Sequence, residues 1–187
     1  MNTPSHAILN LFVLGRQSLP KANLPIFIGS ILPDIPIFVF YGWAKFIARL
    51  PERQIWSEAY YEPFWQTVVS LSHSIPLALL GWLIAYKLKC QIVQLFCLSL
   101  VLHSLLDLPV HHDDAHRHFF PFSNYRFISP FSYWDTKHHG TIVSMFEISL
   151  VLVASVPVFN LIQSWLGKGL LILINIVYFY FFIRLNG

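Results

Sequence analysis

Apolar residues gather in long runs along this chain, and polar ones are confined to the joints between runs or to a few positions inside them. A run of about 20 mostly apolar residues suits a helix that crosses a bilayer. Trp65 to Tyr86, Gln91 to Val110, Thr141 to Ile162 and Leu170 to Arg184 have that character, the last reaching back toward Ser164. Two earlier runs are less regular. Ser5 to Leu19 is short and contains Arg16, and Leu24 to Trp43 is interrupted by Pro33-Asp34-Ile35-Pro36. Proline removes a backbone donor and disfavours helix at the residue before it. The pattern predicts helix from Leu24 to Leu32, then a break that presents Asp34.

Two stretches read as non-helical. Ala44 to Phe64 mixes Lys45, Arg49 and Arg53 with Glu52, Glu58 and Glu62 among aromatics, as a surface segment at a membrane interface would. His111 to Gly140 is rich in His, Asp, Pro, Phe and Tyr. It is too long for an idle connector and too aromatic for a disordered one. The expected fold is an all-α integral membrane bundle of five or six hydrophobic helices. It forms a single domain over residues 1–187, with 111–140 as a His- and aromatic-rich loop insertion.

Composition identifies the solvent. The chain is 56% hydrophobic, 17% aromatic and 11% charged, against about 25% charged residues in soluble domains. Membrane lipid is therefore the expected surrounding. The formal charge of +3 is small and scattered, which argues against nucleic acid as a partner. Cys90 and Cys97 fit neither a CxxC site nor a disulfide framework. Met1 to Asn10 lacks a basic n-region and a cleavage motif, so no removable signal peptide is expected.

Charge also orients the bundle. Arg16 and Lys21, Lys87 and Lys89, and Lys168 occupy alternate connectors that contain no Asp or Glu. Alternating segments place these on one side, which the positive-inside rule makes cytoplasmic. The other side then holds His6, Asp34, His73, His103, Asp107, the His-rich loop and Glu147.

Ionisable groups inside apolar runs are costly and are usually kept for chemistry. His103 and Asp107 are four residues apart, on one helical face, a compact way to offer two ligands to one metal. The alternative is a buried His–Asp hydrogen bond. Asp34, between prolines, needs a cation, a donor or water. His73, in Ser72-His73-Ser74, falls at the same depth as His103, although a lone helical histidine is commonly a packing residue. The loop group His111, His112, Asp113, Asp114, His116 and His118 exceeds what one ion can use. His112 and His116 are candidate ligands or ligand-orienting groups. Glu147 or a loop carboxylate, Asp113, is a candidate base. Arg117 and Arg126 are candidates to hold an anion, or else to pair with headgroups or loop carboxylates.

The order Leu32-Pro33-Asp34, Ser72-His73-Ser74 and His103-x-x-x-Asp107, preceded by His6, resembles the membrane-bound metal-dependent hydrolases related to the LexA-regulated inner-membrane hydrolase of bacteria. More distantly it is similar to the helical zinc-dependent phospholipase C and P1-nuclease group. The resemblance covers residues 1 to 110 and implies His6, Asp34, His73, His103 and Asp107 as the core of a metal site. Val68 stands where family members often carry a further histidine.

Together these readings predict metal-assisted hydrolysis at the membrane surface by a divalent cation, zinc by ligand chemistry. The expected substrate is a phosphoester in a lipid or lipid-linked molecule. The expected location is an integral protein of a bacterial inner membrane, with its site on the non-cytoplasmic side. A metal or proton transporter and a non-catalytic His-rich membrane protein are the rival classes.

Overall fold

The computed structural model describes residues 1–186, and these contain helices, turns and loops but no β-strand. In chain order the helices are α1 (Thr3–Leu14), α2 (Asn23–Ile31), α3 (Ile35–Gly42), α4 (Glu52–Ser57), α5 (Pro63–Ser72), α6 (Ile75–Lys87), α7 (Gln91–Asp107), α8 (Gly140–Leu161) and α9 (Trp165–Asn186). Five stretches are long and apolar enough to cross a membrane: Pro20–Ile47, Pro63–Lys87, Gln91–Val110, Gly140–Leu161 and Trp165–Leu185. Helix α1, with 12 residues, spans about 18 Å at 1.5 Å per residue and is too short to cross alone.

Helix α7 packs between α2 and α6, while α1 packs against α2, α7 and α8, and α9 lies on α8. The core of this bundle is Ile8, Leu11, Ile26, Leu95, Val151 and Val158 with their neighbours. One polar tie crosses it. Asn10, fully buried, donates to the Ser99 carbonyl and hydroxyl oxygens at 2.8 Å. Ser99 in turn donates to the Ile26 carbonyl at 2.6 Å, so α1, α7 and α2 share one hydrogen-bonded network. A second, smaller core gathers Phe40, Ala44, Ile55, Ala59, Tyr60 and Val69 from α3, α4, α5 and their connectors.

Three local expectations are corrected. The break at Pro33 is only a 3₁₀ turn, Leu32–Asp34, and the chain enters α3 at once. Pro36 falls in the first turn of α3, where its missing N–H leaves no bond unmade. The stretch 44–64 is largely helical: a π-helical turn (Trp43–Ile47), α4, and a 3₁₀ turn (Ala59–Tyr61). Its aromatics supply the reason, because Trp56, Tyr60 and Trp65 pack edge-on or tilted around the buried Phe40 ring and fold the segment onto α3. The run from Trp65 to Tyr86 is two helices, not one. Ser74 accepts the Leu77 N–H at 3.2 Å and caps α6, with Pro76 in its first turn.

Side-chain contacts fix the directions. Asn23 donates to the Leu161 carbonyl at 3.5 Å, and Gly15 lies against the Leu161 side chain. The α1–α2, α6–α7 and α8–α9 connectors thus share one end of the bundle. The first residues of α1, the Asp34 turn, the α5–α6 break, the end of α7 and the start of α8 share the other.

Candidate metal centre

Each participating side chain stands at an interruption of an apolar helix, where backbone irregularity brings it inward. Asp34 closes the 3₁₀ turn between α2 and α3, His73 ends α5, and His103 and Asp107 occupy the last turns of α7. One donor atom from each of Asp34, His73, His103 and Asp107 lies within 4.8 Å of the other three, and all four residues are buried.

Their protonation is constrained from outside. His73 Nδ1 lies 2.8 Å from the Val69 carbonyl, and His103 Nδ1 lies 2.7 Å from the Ser30 carbonyl. A carbonyl oxygen only accepts, so both Nδ1 atoms carry a proton, and the neutral form of each ring has its lone pair at Nε2. These Nε2 atoms are buried without a hydrogen-bond partner. Yet carboxylate oxygens stand close: His103 Nε2 is 3.1 Å from Asp107 Oδ2 and 3.5 Å from Asp34 Oδ1, and His73 Nε2 is 3.7 and 3.9 Å from Asp34 Oδ1 and Asp107 Oδ2. Ligands held about 2.0–2.2 Å from a tetrahedral ion lie about 3.3–3.6 Å from one another. The spacings bracket that range. Two lone pairs and two carboxylates, gathered around a point and shielded from water, are the donor set for a cation.

The carboxylates are held from behind. Thr3 donates its hydroxyl to Asp34 Oδ2 at 2.6 Å, leaving Oδ1 toward the centre. Asp107 Oδ1 lies 2.9 Å from His6 Nε2, 2.8 Å from the Met1 nitrogen and 3.2 Å from His111 Nε2. His6 therefore backs Asp107, with its ring stacked on His103 at 3.7 Å, and stands beside the four donors instead of among them.

The loop adds a second group. Donors of Asp107, His111 and His116 also lie within 4.8 Å of one another. His111 is reached because a 3₁₀ turn, Leu108–Val110, continues α7 past Pro109. Its Nδ1 lies 2.9 Å from Asp114 Oδ2. Burial would raise the Asp114 carboxyl, but the contact with His111 outweighs it and keeps the group below its ordinary range. Burial also lowers the His116 imidazole well below its usual value and His118 to about 4. Both rings stay neutral at pH 7, with lone pairs available.

Above both groups opens a cavity of about 920 Å³ lined by Asp34, His111, Asp113, Asp114 and His116 and by the apolar or aromatic side chains of Ile37, Phe38, Trp56, Tyr60, Tyr133 and Trp134. The chain matches no known family model, no curated protein and no solved structure. What the site can do is thus read from its own chemistry.

The remaining candidates fall elsewhere. His112 turns away: its Nδ1 meets the Ser129 carbonyl at 2.6 Å, and its ring stacks on His138 at 3.6 Å. Arg117 donates to Ser70 Oγ, the Gln66 carbonyl and Asn124, and Arg126 donates to the Gln66 side chain, so both fasten the loop to α5. Among the described residues no lysine or arginine lines the cavity. Glu147 lies beneath α1, accepting from the Asn2 backbone, the Asn2 amide and the Ser5 hydroxyl. Asp113 lines the cavity wall. Of the residues passed over as ligands in the sequence, His111 is the one the fold brings in. Its signal was the four-residue spacing from Asp107.

Proposed function

We propose that this protein is a membrane-embedded, zinc-dependent hydrolase whose substrate is a phosphoester in a lipid or lipid-linked molecule. The observation that carries the reading is the convergence of Asp34, His73, His103 and Asp107 beside an aromatic-lined cavity, into whose wall Asp34 extends. Two imidazole nitrogens and two carboxylate oxygens suit zinc better than calcium or magnesium, which favour all-oxygen sites. When bound, such a cation polarises the phosphoryl oxygen and lowers the pKa of water to about 7.

The chain's own residues do the rest. The Val69 and Ser30 carbonyls fix the two imidazoles, and Thr3 and His6 fix the two carboxylates. Asp113, a residue of the cavity wall, accepts a proton from the attacking water in this reading. Water supplies oxygen to phosphorus and, in the end, a proton to the departing alkoxide. Phe38, Trp56, Tyr60 and Trp134 offer a surface for the apolar part of a lipid. Membership of the LexA-regulated hydrolase group fits the same residues.

Transport is disfavoured by packing. Beyond the four donors the bundle is filled by Ile8, Leu11, Ile26, Leu95 and Val151, which leave, among the described residues, no continuous line of ionisable groups toward the other end. The test is metal analysis of detergent-purified protein with hydrolysis of bis(p-nitrophenyl) phosphate, wild type beside His103→Ala. We expect bound zinc in the wild type and at least ~100-fold slower hydrolysis with reduced zinc in the variant, as for loss of a metal ligand. Wild-type protein with neither metal nor hydrolysis would overturn the proposal.

A further inference from the structure

The group formed by Asp107, His111 and His116 is not accounted for by a single ion beside the cavity. Four protein donors fill a tetrahedral zinc and leave water or substrate only a fifth position, whereas three leave the fourth position open. Asp34, His73, His103 and Asp107 make the four-donor set; Asp107, His111 and His116 make a three-donor set. His111 and His116 line the cavity, and His73 and His103 do not.

The two sets touch. The His73 and His116 rings stack at 4.2 Å, and the His111 and His116 rings are 4.9 Å apart. Asp107 faces both, with Oδ2 3.1 Å from His103 Nε2 and Oδ1 3.2 Å from His111 Nε2. The far nitrogen of His111 lies within ion-pair distance of Asp114, 2.9 Å away, where His73 and His103 have hydrogen bonds to carbonyls. Asp114 is itself held by the Trp134 indole N–H at 3.2 Å. A His–carboxylate tie of this kind orients metal-binding imidazoles and raises their basicity.

We infer that the protein binds two divalent cations bridged by the Asp107 carboxylate, the second held by His111 and His116 with an open position facing the cavity. This rests on the hydrolase reading and deepens it. An ion pair about 3.5–4 Å apart clamps both the attacking and the leaving oxygen of a phosphoester. It also adds charge to a cavity that, among the described residues, no lysine or arginine lines and whose one cation in its lining is the Met1 ammonium, 2.8 Å from Asp107 Oδ1 and 3.0 Å from His111 Nε2.

The test is Co²⁺ stoichiometry of metal-stripped, desalted protein in detergent, with Mn²⁺ electron paramagnetic resonance alongside. The expected result is about two Co²⁺ per wild-type chain and an exchange-coupled Mn²⁺ spectrum. His116→Gln and His111→Gln, each checked for folding by circular dichroism and gel filtration, should each fall to about one and show the spectrum of an isolated ion. Saturation of the wild type at one equivalent, with His116→Gln unchanged, would overturn the second site and leave the hydrolase reading intact. It would mean that the nearby Met1 nitrogen, 2.8 Å from Asp107, neutralises that carboxylate instead. Two equivalents retained by both variants would place the second ion elsewhere and equally overturn it. No bound metal at all would sink the hydrolase reading itself.

Discussion

Glu147 is only 3% exposed, yet it faces the start of another helix. Its Oε1 takes the Asn2 N–H at 3.0 Å, the Asn2 amide at 2.9 Å and the Ser5 hydroxyl at 2.5 Å. A helix start carries unsatisfied N–H groups and partial positive charge, so a carboxylate there holds α1 down. Because α1 carries Thr3 and His6, the anchor also sets the backing of Asp34 and Asp107. Glu147→Ala should destabilise the detergent-solubilised protein by roughly 1–3 kcal/mol for each buried donor left unpaired. Metal retention should fall with it, and Glu147→Gln should be milder; thermal unfolding and metal analysis measure both. Full stability and metal content in Glu147→Ala, with hydrolysis lost, would instead make Glu147 a base. At this scale the sequence was partly legible. Asp34, His73, His103 and Asp107 stood out because ionisable groups in apolar runs are rare. The choice between the neighbours His111 and His112 was hidden, since it depends on the pitch of the single turn Leu108–Val110.

At the scale of elements, the spacing between α2 and α7 decides whether the centre exists. His103 is held by the Ser30 carbonyl of α2, so the helices must approach closely. Gly29 permits this: a Cβ there would sit 2.7 Å from the Phe96 carbonyl oxygen and 2.9 Å from the Ser99 Cβ. Backbone cannot yield as a flexible side chain does. Gly29→Ala should push α2 off α7, lengthen the Ser30–His103 bond and weaken metal binding by the 10–100-fold typical of lost ligand support, about 1.4–2.7 kcal/mol. Gly42→Ala, whose Cβ meets nothing within 4 Å, is the control and should bind metal as the wild type does. Metal-titration affinities of the two variants separate these outcomes. The helices themselves were readable from their apolar runs to within a few residues. The division at His73 was missed although Ser74-Ile75-Pro76 carries a cap residue followed by a first-turn proline. A continuous apolar run masked that signal. Short-range helix in 44–64 was missed because its charges suggested a surface coil, while the Phe40 core that organises it comes from α3 and α5.

For the molecule as a whole, the exterior fits lipid. Helix α9 exposes Leu166, Leu173, Ile176 and Phe181, and α8 exposes Phe146, Val153 and Val156, a surface that water would penalise at about 25 cal/mol per Å². Arg16, Lys21, Lys87, Lys89 and Lys168 cluster at the end away from the His/Asp groups, as the alternation of connectors predicted. The positive-inside rule predicts a cytoplasmic basic end and a cavity that opens to the opposite side. Cys90, exposed in the α6–α7 connector, and the loop residue Phe122, 78% exposed, mark the two ends. Cys97 is buried and should stay silent. A membrane-impermeant maleimide should label Cys90 in inside-out vesicles but not from outside intact spheroplasts. In a Cys90→Ser background, Phe122→Cys should show the reverse. Labelling of both cysteines from one face would mean that the bundle does not carry its ends across the bilayer. Reversal of both would keep the spanning architecture and turn the cavity toward the cytoplasm, moving the substrate pool from the outer to the inner leaflet.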